Sequence, residues 1–348
     1  MDFIDWRYEK YIKPQLPLDK DLFSLIKRKN LNSKIINNDH LIYYLSADEK
    51  NLGDYASAQG VKLLLGVKGL ESYVSSRGMK ETKSLFSRIK TERKNVHLVV
   101  GGGGLLQECF NPFWHTLLDS ELKFSLFGVG ANELKPGRNL LETSLLHDIS
   151  GRAQSIHVRD DWTKSLLLNQ YNRYINVGFC PALNYLNYKY LNFDQGKETT
   201  LLYVDHPSDV NMAGGNSNQI ISVLKEVANK LGLDFCYTNH VDESFDSIVS
   251  LYKKSKVIVT SRLHGCIFAY SFCKKFIPII CDKKTSELIN THFSNIKYLT
   301  MDISTNDTLE IIEGLSCEKY NFNCSEKLID NYRYALTLKN EILNGVIF

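Results

Sequence analysis

Residues 99–105 read Val-Val-Gly-Gly-Gly-Gly-Leu, so two β-branched residues are followed directly by Gly101, Gly102, Gly103 and Gly104. β-Branched residues favour strands, and glycine lets a chain turn tightly or approach a ligand, so the stretch predicts a strand that ends in a loop. Neither the G-x-G-x-x-G spacing nor a G-K-[ST] ending is present. Two interpretations stay open: an anion held by backbone N–H groups at the strand end, or a strand-to-helix turn without a ligand.

Strand-like runs alternate with helix-length amphipathic segments on both sides of this stretch, the order expected of parallel sheets covered by helices. The predicted strands are 41–46, 96–100, 123–128 and 155–158 in the first half, and 201–204, 234–238, 257–260 and 276–280 in the second. The predicted helices are 54–65, 81–90, 218–231, 245–254, 263–272 and a final amphipathic helix, 326–343. The sequence therefore predicts an α/β protein with two Rossmann-like domains.

The domain boundary is predicted at residues 186–199, where apolar periodicity is lost and polar residues gather. We expect an N-terminal extension at 1–40, an N-terminal Rossmann-like domain at 41–190, and a C-terminal Rossmann-like domain at 191–348 that includes the final helix. A length of 348 residues exceeds what one hydrophobic core usually supports, which agrees with two domains. A central cleft between them is the expected place for a site.

Composition excludes several classes of protein. The chain is 43% hydrophobic and 23% charged, as globular proteins are, and its net charge of +3 does not indicate a nucleic-acid partner. Charged residues near the start and the lack of any run of about 18 apolar residues predict neither a secretion signal nor a membrane span. The eight cysteines include no C-x-x-C pair, so we expect reduced thiols, a cytoplasmic location and no metal site.

Residues 51–54 (Asn-Leu-Gly-Asp) follow the first predicted strand. Gly53 suits a turn, and Asp54 is the predicted N-cap of the helix that follows. Capping is one interpretation. The other places Asn51 and Asp54 on the cleft wall, where they hold acceptor hydroxyls or a donor group.

Arg159 ends a predicted strand in the segment His-Val-Arg-Asp-Asp, residues 157–161. The two acids need no ligand, because acids at a helix N-terminus complement its dipole. An arginine at the carboxyl end of a parallel strand faces the crevice where α/β sheets bind ligands, and its planar guanidinium suits carboxylate or phosphate. The alternative is an ion pair with a neighbouring acid.

Arg262 and His264 lie in the segment Thr-Ser-Arg-Leu-His-Gly, residues 260–265, after another strand. Thr260 and Ser261 are the predicted helix caps, which places both potential cations in the first turn. The helix dipole disfavours cations there, so the pair indicates a bound anion, and histidine exchanges protons near neutral pH. The alternative for His264 is an ordinary core or surface histidine.

Together these segments resemble the polysaccharide pyruvyl transferase family. The motifs of the family occur here in the same order. They are N-x-G-D at 51–54, the glycine loop, V-R-D at 158–160, a stretch at 180–182 that corresponds to the family's D-P-A, and S-R-L-H-G at 261–265, which leads to a Pro-Ile region with a lysine. Two departures stand out: Cys180 replaces the usual Asp, and about 40 residues precede the first motif. The extension suggests an added membrane-surface, oligomer or acceptor-binding element.

The resemblance implies a fold similar to GT-B glycosyltransferases and phosphoenolpyruvate as donor. It implies that Arg159, Arg262 and His264 are catalytic. The expected substrate-binding residues are Asn51, Gly53, Asp54, Gly101, Gly102, Gly103, Gly104, Ser261 and Lys283.

The expected reaction transfers a pyruvyl group to two hydroxyls of one sugar, giving a cyclic ketal and phosphate. Arg159 and Arg262 would bind the donor's charged groups, and His264 would be the general acid and base. No cofactor or metal is needed. The acceptor is a surface polysaccharide or its lipid-linked precursor, which leaves open peripheral association with the inner face of the membrane. The alternatives are a GT-B-like glycosyltransferase with a nucleotide-sugar donor and a non-catalytic glycan-binding protein.

Overall fold

The structure is a computed structural model of the chain. It describes residues 41–74, 79–92, 96–168, 174–190, 196–241, 243–293, 295–317 and 324–344. The predicted N-terminal extension, residues 1–40, lies outside the described residues.

The first domain contains a parallel sheet with helices on both faces. Its strands are β1 (Leu41–Ser46), β2 (Gly69–Tyr73), β3 (Val96–Leu106), β4 (Lys123–Ala131), β5 (Ile156–Val158) and β6 (Asn176–Val177). Its helices are α1 (Leu52–Leu65), α2 (Met79–Glu92), α3 (Asn111–Asp119), α4 (Thr143–Arg152), α5 (Asp161–Leu167) and α6 (Ala182–Lys189). The described strands pair in the order β2-β1-β3-β4-β5-β6.

The second domain repeats this architecture with a smaller sheet. Its strands are β7 (Thr200–Val204), β8 (Asp234–Thr238), β9 (Ser255–Thr260) and β10 (Phe276–Pro278), and they pair in the order β10-β9-β7-β8. Its segment of the chain also contains α7 (Pro207–Ala213), α8 (Ser217–Lys230), α9 (Phe245–Lys254), α10 (Leu263–Ser271), α11 (Lys283–His292), α12 (Thr305–Cys317) and α13 (Ser325–Asn344). Within the described ranges, no helix is long and apolar enough to cross a membrane.

Every predicted strand overlaps an observed one, so the predicted α/β fold with two parallel sheets is confirmed. Two edge strands were missed. β2 reads GLESY and has no buried residue, and β6 is only two residues long, so neither carries a strong apolar signal. β3 does not end at residue 100 as predicted but continues through the glycines to Leu106.

The carboxyl ends of the two sheets meet at the domain interface. The cleft there is lined by residues that follow β1, β5, β7 and β9. The backbone joins the domains directly, because the Leu52 N–H of α1 donates to the His240 carbonyl at 3.0 Å. Leu52 and Ala56 are also buried in one apolar cluster with α6 and with Ile267 and Phe268 of α10. This shared core positions the strand ends of one domain against those of the other.

The final helix, α13, packs on the first sheet, whereas the sequence placed it in the C-terminal domain. Its buried stripe includes Tyr334, Ala335 and Leu338, which form a cluster with Ile42 and Phe127 of the first domain. The Tyr334 hydroxyl also donates to the Leu126 carbonyl at 3.1 Å. The amphipathic pattern predicts that the helix packs, but it does not identify the sheet that it covers.

We predict that Leu338→Ala lowers the free energy of unfolding by about 2–5 kcal/mol, because it removes a fully buried side chain from this cluster. Urea denaturation of the whole chain measures the change. The matched control is Thr337→Ala, an exposed neighbour on the same helix, for which we expect a change within about 0.5 kcal/mol. Equal effects of the two substitutions would contradict the packing described here.

Candidate active site

A cavity of about 240 Å³ lies in the cleft, and both domains contribute to its wall. The predicted site residues that line it are Asn51, Asp54, Gly104, Arg159, Arg262 and His264. The predicted site residues that do not line it are Gly53, Gly101, Gly102, Gly103, Ser261 and Lys283. The structure therefore brings together the three predicted catalytic residues and three of the nine predicted substrate-binding residues.

The N-cap of α1 is Asn51, so the prediction that Asp54 caps this helix is wrong. The Asn51 side-chain oxygen accepts from the Gly53 N–H at 3.1 Å, and its amide nitrogen donates to Asp54 Oδ2 at 3.0 Å. Arg262 Nη1 donates to the same Asn51 oxygen at 3.3 Å, from the other domain. Asn51 therefore caps α1, orients Asp54 and contacts Arg262.

Gly53 is needed because α1 and α10 begin very close together. A Cβ atom at position 53 would lie 2.2 Å from Cγ and Nδ1 of His264, which is far inside van der Waals contact. Glycine at this position therefore lets the first turn of α1 reach the His264 ring. Its predicted role in substrate binding becomes an indirect one.

His264 is enclosed between two side chains of the first domain. Its Nδ1 lies 3.9 Å from Asp54 Oδ1, and its Nε2 lies 3.8 Å from the Cys180 sulfur. Burial, followed by the charges of Arg159 and Arg262, lowers the pKa of His264 well below its usual value. The imidazole is therefore neutral at pH 7.

Arg159 is a buried cation with unused hydrogen-bonding capacity. Only 1% of its surface is exposed, and among the described residues Nε and Nη2 have no hydrogen-bond partner. Asp160 Oδ2 lies 3.8 Å from Nε, but the Asp160 carboxylate also caps α5 by accepting from the Thr163 N–H at 2.6 Å. Two nitrogens without a hydrogen-bond partner on a buried guanidinium favour an anionic ligand over the ion-pair interpretation.

Gly130 makes room for this guanidinium. A Cβ atom at position 130 would lie 2.1 Å from Arg159 Nε. The Arg159 carbonyl, in turn, is 2.9 Å from the ring nitrogen Nε2 of His292 in α11, which ties the end of β5 to the second domain. Contacts from both domains thus hold Arg159 at the cleft.

Arg262 is the N-cap residue of α10, and no side chain caps that helix. Thr260 Oγ1 accepts from the Arg262 N–H at 3.0 Å, so Thr260 stabilises the turn before the helix. Ser261 accepts from the His206 N–H at 2.9 Å and contacts Asp205 Oδ1 at 3.1 Å, inside the second domain. The predicted capping role of Ser261 is therefore wrong, and its side chain belongs to a buried polar network behind the cleft.

The lysine of the cleft is Lys284 and not the predicted Lys283. Lys283 is partly exposed and pairs with Glu287 at 2.7 Å, whereas Lys284 lines the cavity and contacts Asp209 at 2.5 Å and Asp282 at 2.9 Å. Successive side chains of an α-helix are rotated by about 100° around its axis, so the two neighbouring lysines point in different directions. Burial alone would lower the pKa of Lys284, but Asp282 and Asp209 raise it above its usual value, so the lysine is charged.

The glycine stretch serves helix packing more than ligand binding. Gly102 and Gly103 have positive φ angles of 81° and 126° within β3. Cβ atoms there would lie 2.6 Å from the Ala58 backbone nitrogen and 2.7 Å from Asp54 Oδ1. These glycines therefore let α1 lie close against β3, and the predicted role of Gly101, Gly102 and Gly103 as a ligand-binding loop is not supported by their position.

Several residues of the cleft were missed in the sequence, namely Gln107, His206, Asp209 and Lys284. His206 and Asp209 directly follow the predicted strand 201–204, so the strand-end rule that identified Arg159 also applies to them. Gln107 lies beyond the glycines, where the predicted strand had already ended. No signal in its neighbourhood indicates a site.

The fold and the site define a class of protein: two α/β domains of the GT-B type with a cationic cleft between their sheets. A family model for polysaccharide pyruvyl transferase matches residues 51–283, about two thirds of the chain. The chain belongs to this family.

Solved structures of low sequence identity share the fold. UDP-GlcNAc 2-epimerase from Methanocaldococcus jannaschii, in complex with UDP-GlcNAc and UDP, is 8% identical with a TM-score of 0.60, covering 86% of this chain and 99% of that one. S. aureus MnaA with UDP is 11% identical with a TM-score of 0.58, covering 88% and 98%. The UDP-GlcNAc 2-epimerase from Neisseria meningitidis is 11% identical with a TM-score of 0.53, covering 88% and 100%. No curated protein matches the sequence.

We predict that inorganic phosphate raises the melting temperature of the protein and that Arg159→Met abolishes the rise. A ligand that binds only the folded state at about 100 times its Kd adds about 2.7 kcal/mol of stability. Differential scanning fluorimetry over a phosphate titration at constant ionic strength measures the effect. The control is Lys283→Met, which removes a cation next to the cleft and should keep the full rise in melting temperature. If phosphate failed to stabilise both variants, a site centred on Arg159 would be contradicted.

Proposed function

We propose that this protein transfers the pyruvyl group of phosphoenolpyruvate to two hydroxyls of one sugar in a glycan, forming a cyclic ketal and releasing phosphate. The single observation that carries the proposal is the buried Arg159, whose Nε and Nη2 have no hydrogen-bond partner among the described residues and which shares the cleft with Arg262 and Lys284. Membership of the pyruvyl transferase family supports the reaction class.

The cations of the cleft suit a donor that carries both a carboxylate and a phosphate. Arg262 is held by the Asp205 carbonyl at 3.2 Å and by Asn51, and Lys284 by two carboxylates, so both are fixed before a ligand arrives. Pre-positioned cations lose little entropy on binding and stabilise phosphate as it leaves. We assign the donor's charged groups to Arg159, Arg262 and Lys284.

His264 is the proposed base for the acceptor. Because its imidazole is neutral at pH 7, it can take the proton of the attacking hydroxyl, and the resulting imidazolium is an acid. The hydroxyl adds to the central carbon of the donor after the methylene carbon is protonated. The second hydroxyl then displaces phosphate and closes the ketal. The scheme uses no metal or cofactor.

A glycosyltransferase with a nucleotide-sugar donor is the second candidate, because structures that share the fold contain UDP or UDP-GlcNAc. The lining of the cavity favours phosphoenolpyruvate, because Arg159, Arg262 and Lys284 all line it and this donor carries both a carboxylate and a phosphate.

The two candidates differ in the ligand that stabilises the protein. We expect phosphoenolpyruvate to raise the melting temperature at concentrations where UDP-GlcNAc and UDP-glucose do not, since its carboxylate and phosphate together suit the three cations. Scanning fluorimetry at equal ligand concentrations measures this. Stabilisation by a nucleotide sugar alone would favour the glycosyltransferase.

Turnover tests the residue roles. Wild type is incubated with phosphoenolpyruvate and pyranosides that carry free 4,6- or cis-vicinal diols, and phosphate release and the mass of the ketal are followed. His264→Ala should lower kcat by about 10²- to 10⁴-fold, as loss of a general acid–base does. Arg262→Ala should raise the KM for phosphoenolpyruvate and lower kcat.

Lys283→Ala is the matched control for these two variants, because Lys283 is next to the cleft residue Lys284 in the chain but does not line the cavity. It should react as wild type does. If folded His264→Ala and Arg262→Ala also react as fast as wild type, the assigned roles are wrong.

A further inference from the structure

Asp54 differs from the other carboxylates of the cleft in its partners. Asp209 is bound to Lys284, and Asp48 is exposed at the rim. Asp54 is largely buried, and within the described residues no lysine or arginine nitrogen lies within 4.0 Å of it. Its one contact with a basic side chain at that distance is His264 Nδ1 at 3.9 Å. An acid in a cleft without a fixed cation can hold a proton more easily than its neighbours.

Two glycines hold Asp54 and His264 face to face. Gly53 admits the His264 ring, and Gly103 admits Asp54 Oδ1, since a Cβ atom at either position would overlap them at 2.2 Å and 2.7 Å. On the other side of the ring, Nε2 faces the Cys180 thiol, whose pKa is raised by burial, so that neighbour is uncharged. Among the described residues, Asp54 is the one carboxylate with an oxygen within 4.0 Å of a His264 ring nitrogen.

A structural role alone does not account for this arrangement. An acid in the first turn of a helix stabilises the dipole wherever it faces, including solvent. Asp54 instead lies on the cleft wall, with Oδ2 held by Asn51 at 3.0 Å and Oδ1 directed to His264. This orientation costs desolvation of the carboxylate, which a surface position would avoid.

We propose that Asp54 is the acid that protonates the methylene carbon of phosphoenolpyruvate, and that His264 returns the proton to it. This inference rests on the proposed function and adds the residue that starts the reaction. Asp54 and His264 then divide the two proton transfers between them.

The protons balance over one cycle. The Asp54 carboxyl gives its proton to the methylene carbon, the C=C electron pair forms the new C–H bond, and the central carbon becomes cationic. The first acceptor hydroxyl adds to that carbon while its proton passes to His264 and then to the Asp54 carboxylate. The second hydroxyl forms the other C–O bond, the bond to the phosphate oxygen breaks with its electron pair, and the last proton leaves as hydrogenphosphate.

The titration of Asp54 agrees with this role. Burial raises its pKa to about 6, although Arg159, Arg262 and Lys284 act against the rise and Asp48 adds to it. The titratable groups that face the pair also include His240, which is neutral because burial lowers its pKa. A bound donor brings negative charge into the cleft and favours the protonated carboxyl further, so Asp54 gains its proton when the donor binds.

Proton uptake on donor binding tests the proposal without an acceptor. Calorimetry of phosphoenolpyruvate binding at pH 7, in buffers of different ionisation enthalpy, gives the number of protons taken up. We expect wild type to take up about one proton more than Asp54→Asn, because a carboxyl with a pKa of about 6 is mostly ionised before binding. Asp161→Asn, which removes a first-turn acid of α5 outside the cleft, should match wild type.

Kinetics give the second measurement. Asp54→Asn should lower kcat by about 10²- to 10⁴-fold with little change in the KM for phosphoenolpyruvate. Wild-type kcat should fall as pH rises through a pKa at or above about 6, since the protonated acid is the active form, and the variant should lack this limb. Formate should partly restore the rate of Asp54→Ala, because it can supply a carboxyl in the space left.

The outcomes separate the two proposals. If wild type neither binds phosphoenolpyruvate nor turns it over, the proposed function fails and this inference fails with it. If wild type is active and Asp54→Asn keeps the wild-type proton uptake, rate or pH profile, only the role of Asp54 is overturned. Loss of donor binding in a folded Asp54→Asn would also overturn it, since Asp54 would then be a binding residue. If Asp54→Asn does not fold, Asp54→Ala with and without formate replaces it in both measurements.

Discussion

At the centre of the molecule, the first turn of α1 lies against the first turn of α10, with the α-carbon of Gly53 next to the ring of His264. A methyl group at position 53 would come within 2.2 Å of that ring, so a larger residue would push the domains apart or turn the histidine away. The spacing of the two helices sets the width of the cleft, because each helix follows a strand whose end contributes to the wall. Asn51 reinforces this spacing by capping α1 and contacting Arg262 of the other domain.

The electrostatics of the cleft follow from this close packing. Arg159 and Arg262 are buried and Lys284 is partly exposed, and the three are satisfied to different degrees. Lys284 contacts two carboxylates, Arg262 a carbonyl and an amide, and Arg159 one distant acid. Burying a guanidinium whose N–H groups have no hydrogen-bond partner costs free energy. An anion that paired with Arg159 would remove part of that cost.

The features of the fold and of the site that could be predicted from the sequence are those that leave a pattern in one contiguous segment. The strand ends that carry Arg159 and Arg262 were predicted because β-branched runs precede them. The order of the motifs indicated the family from the sequence alone. Lys284 was missed because neighbouring lysines are equivalent in a sequence, and only the phase of α11 directs one of them to the cleft. The glycines after Val100 were recognised, but their partner is a helix that begins about 50 residues earlier, and a long-range contact of that kind leaves no local pattern.

The sequence by itself determined the two parallel α/β domains, the family, and the chemical types of residue at the strand ends, because strand and helix periodicity and motif order are properties of contiguous segments. The tertiary structure decided which of those residues face one cavity, which is why Ser261 and Lys283 lie outside it while Lys284, His206 and Gln107 line it. It also placed α13 on the first sheet and Asp54 against His264. These are contacts between segments far apart in the chain, and they depend on packing that no single stretch of sequence encodes.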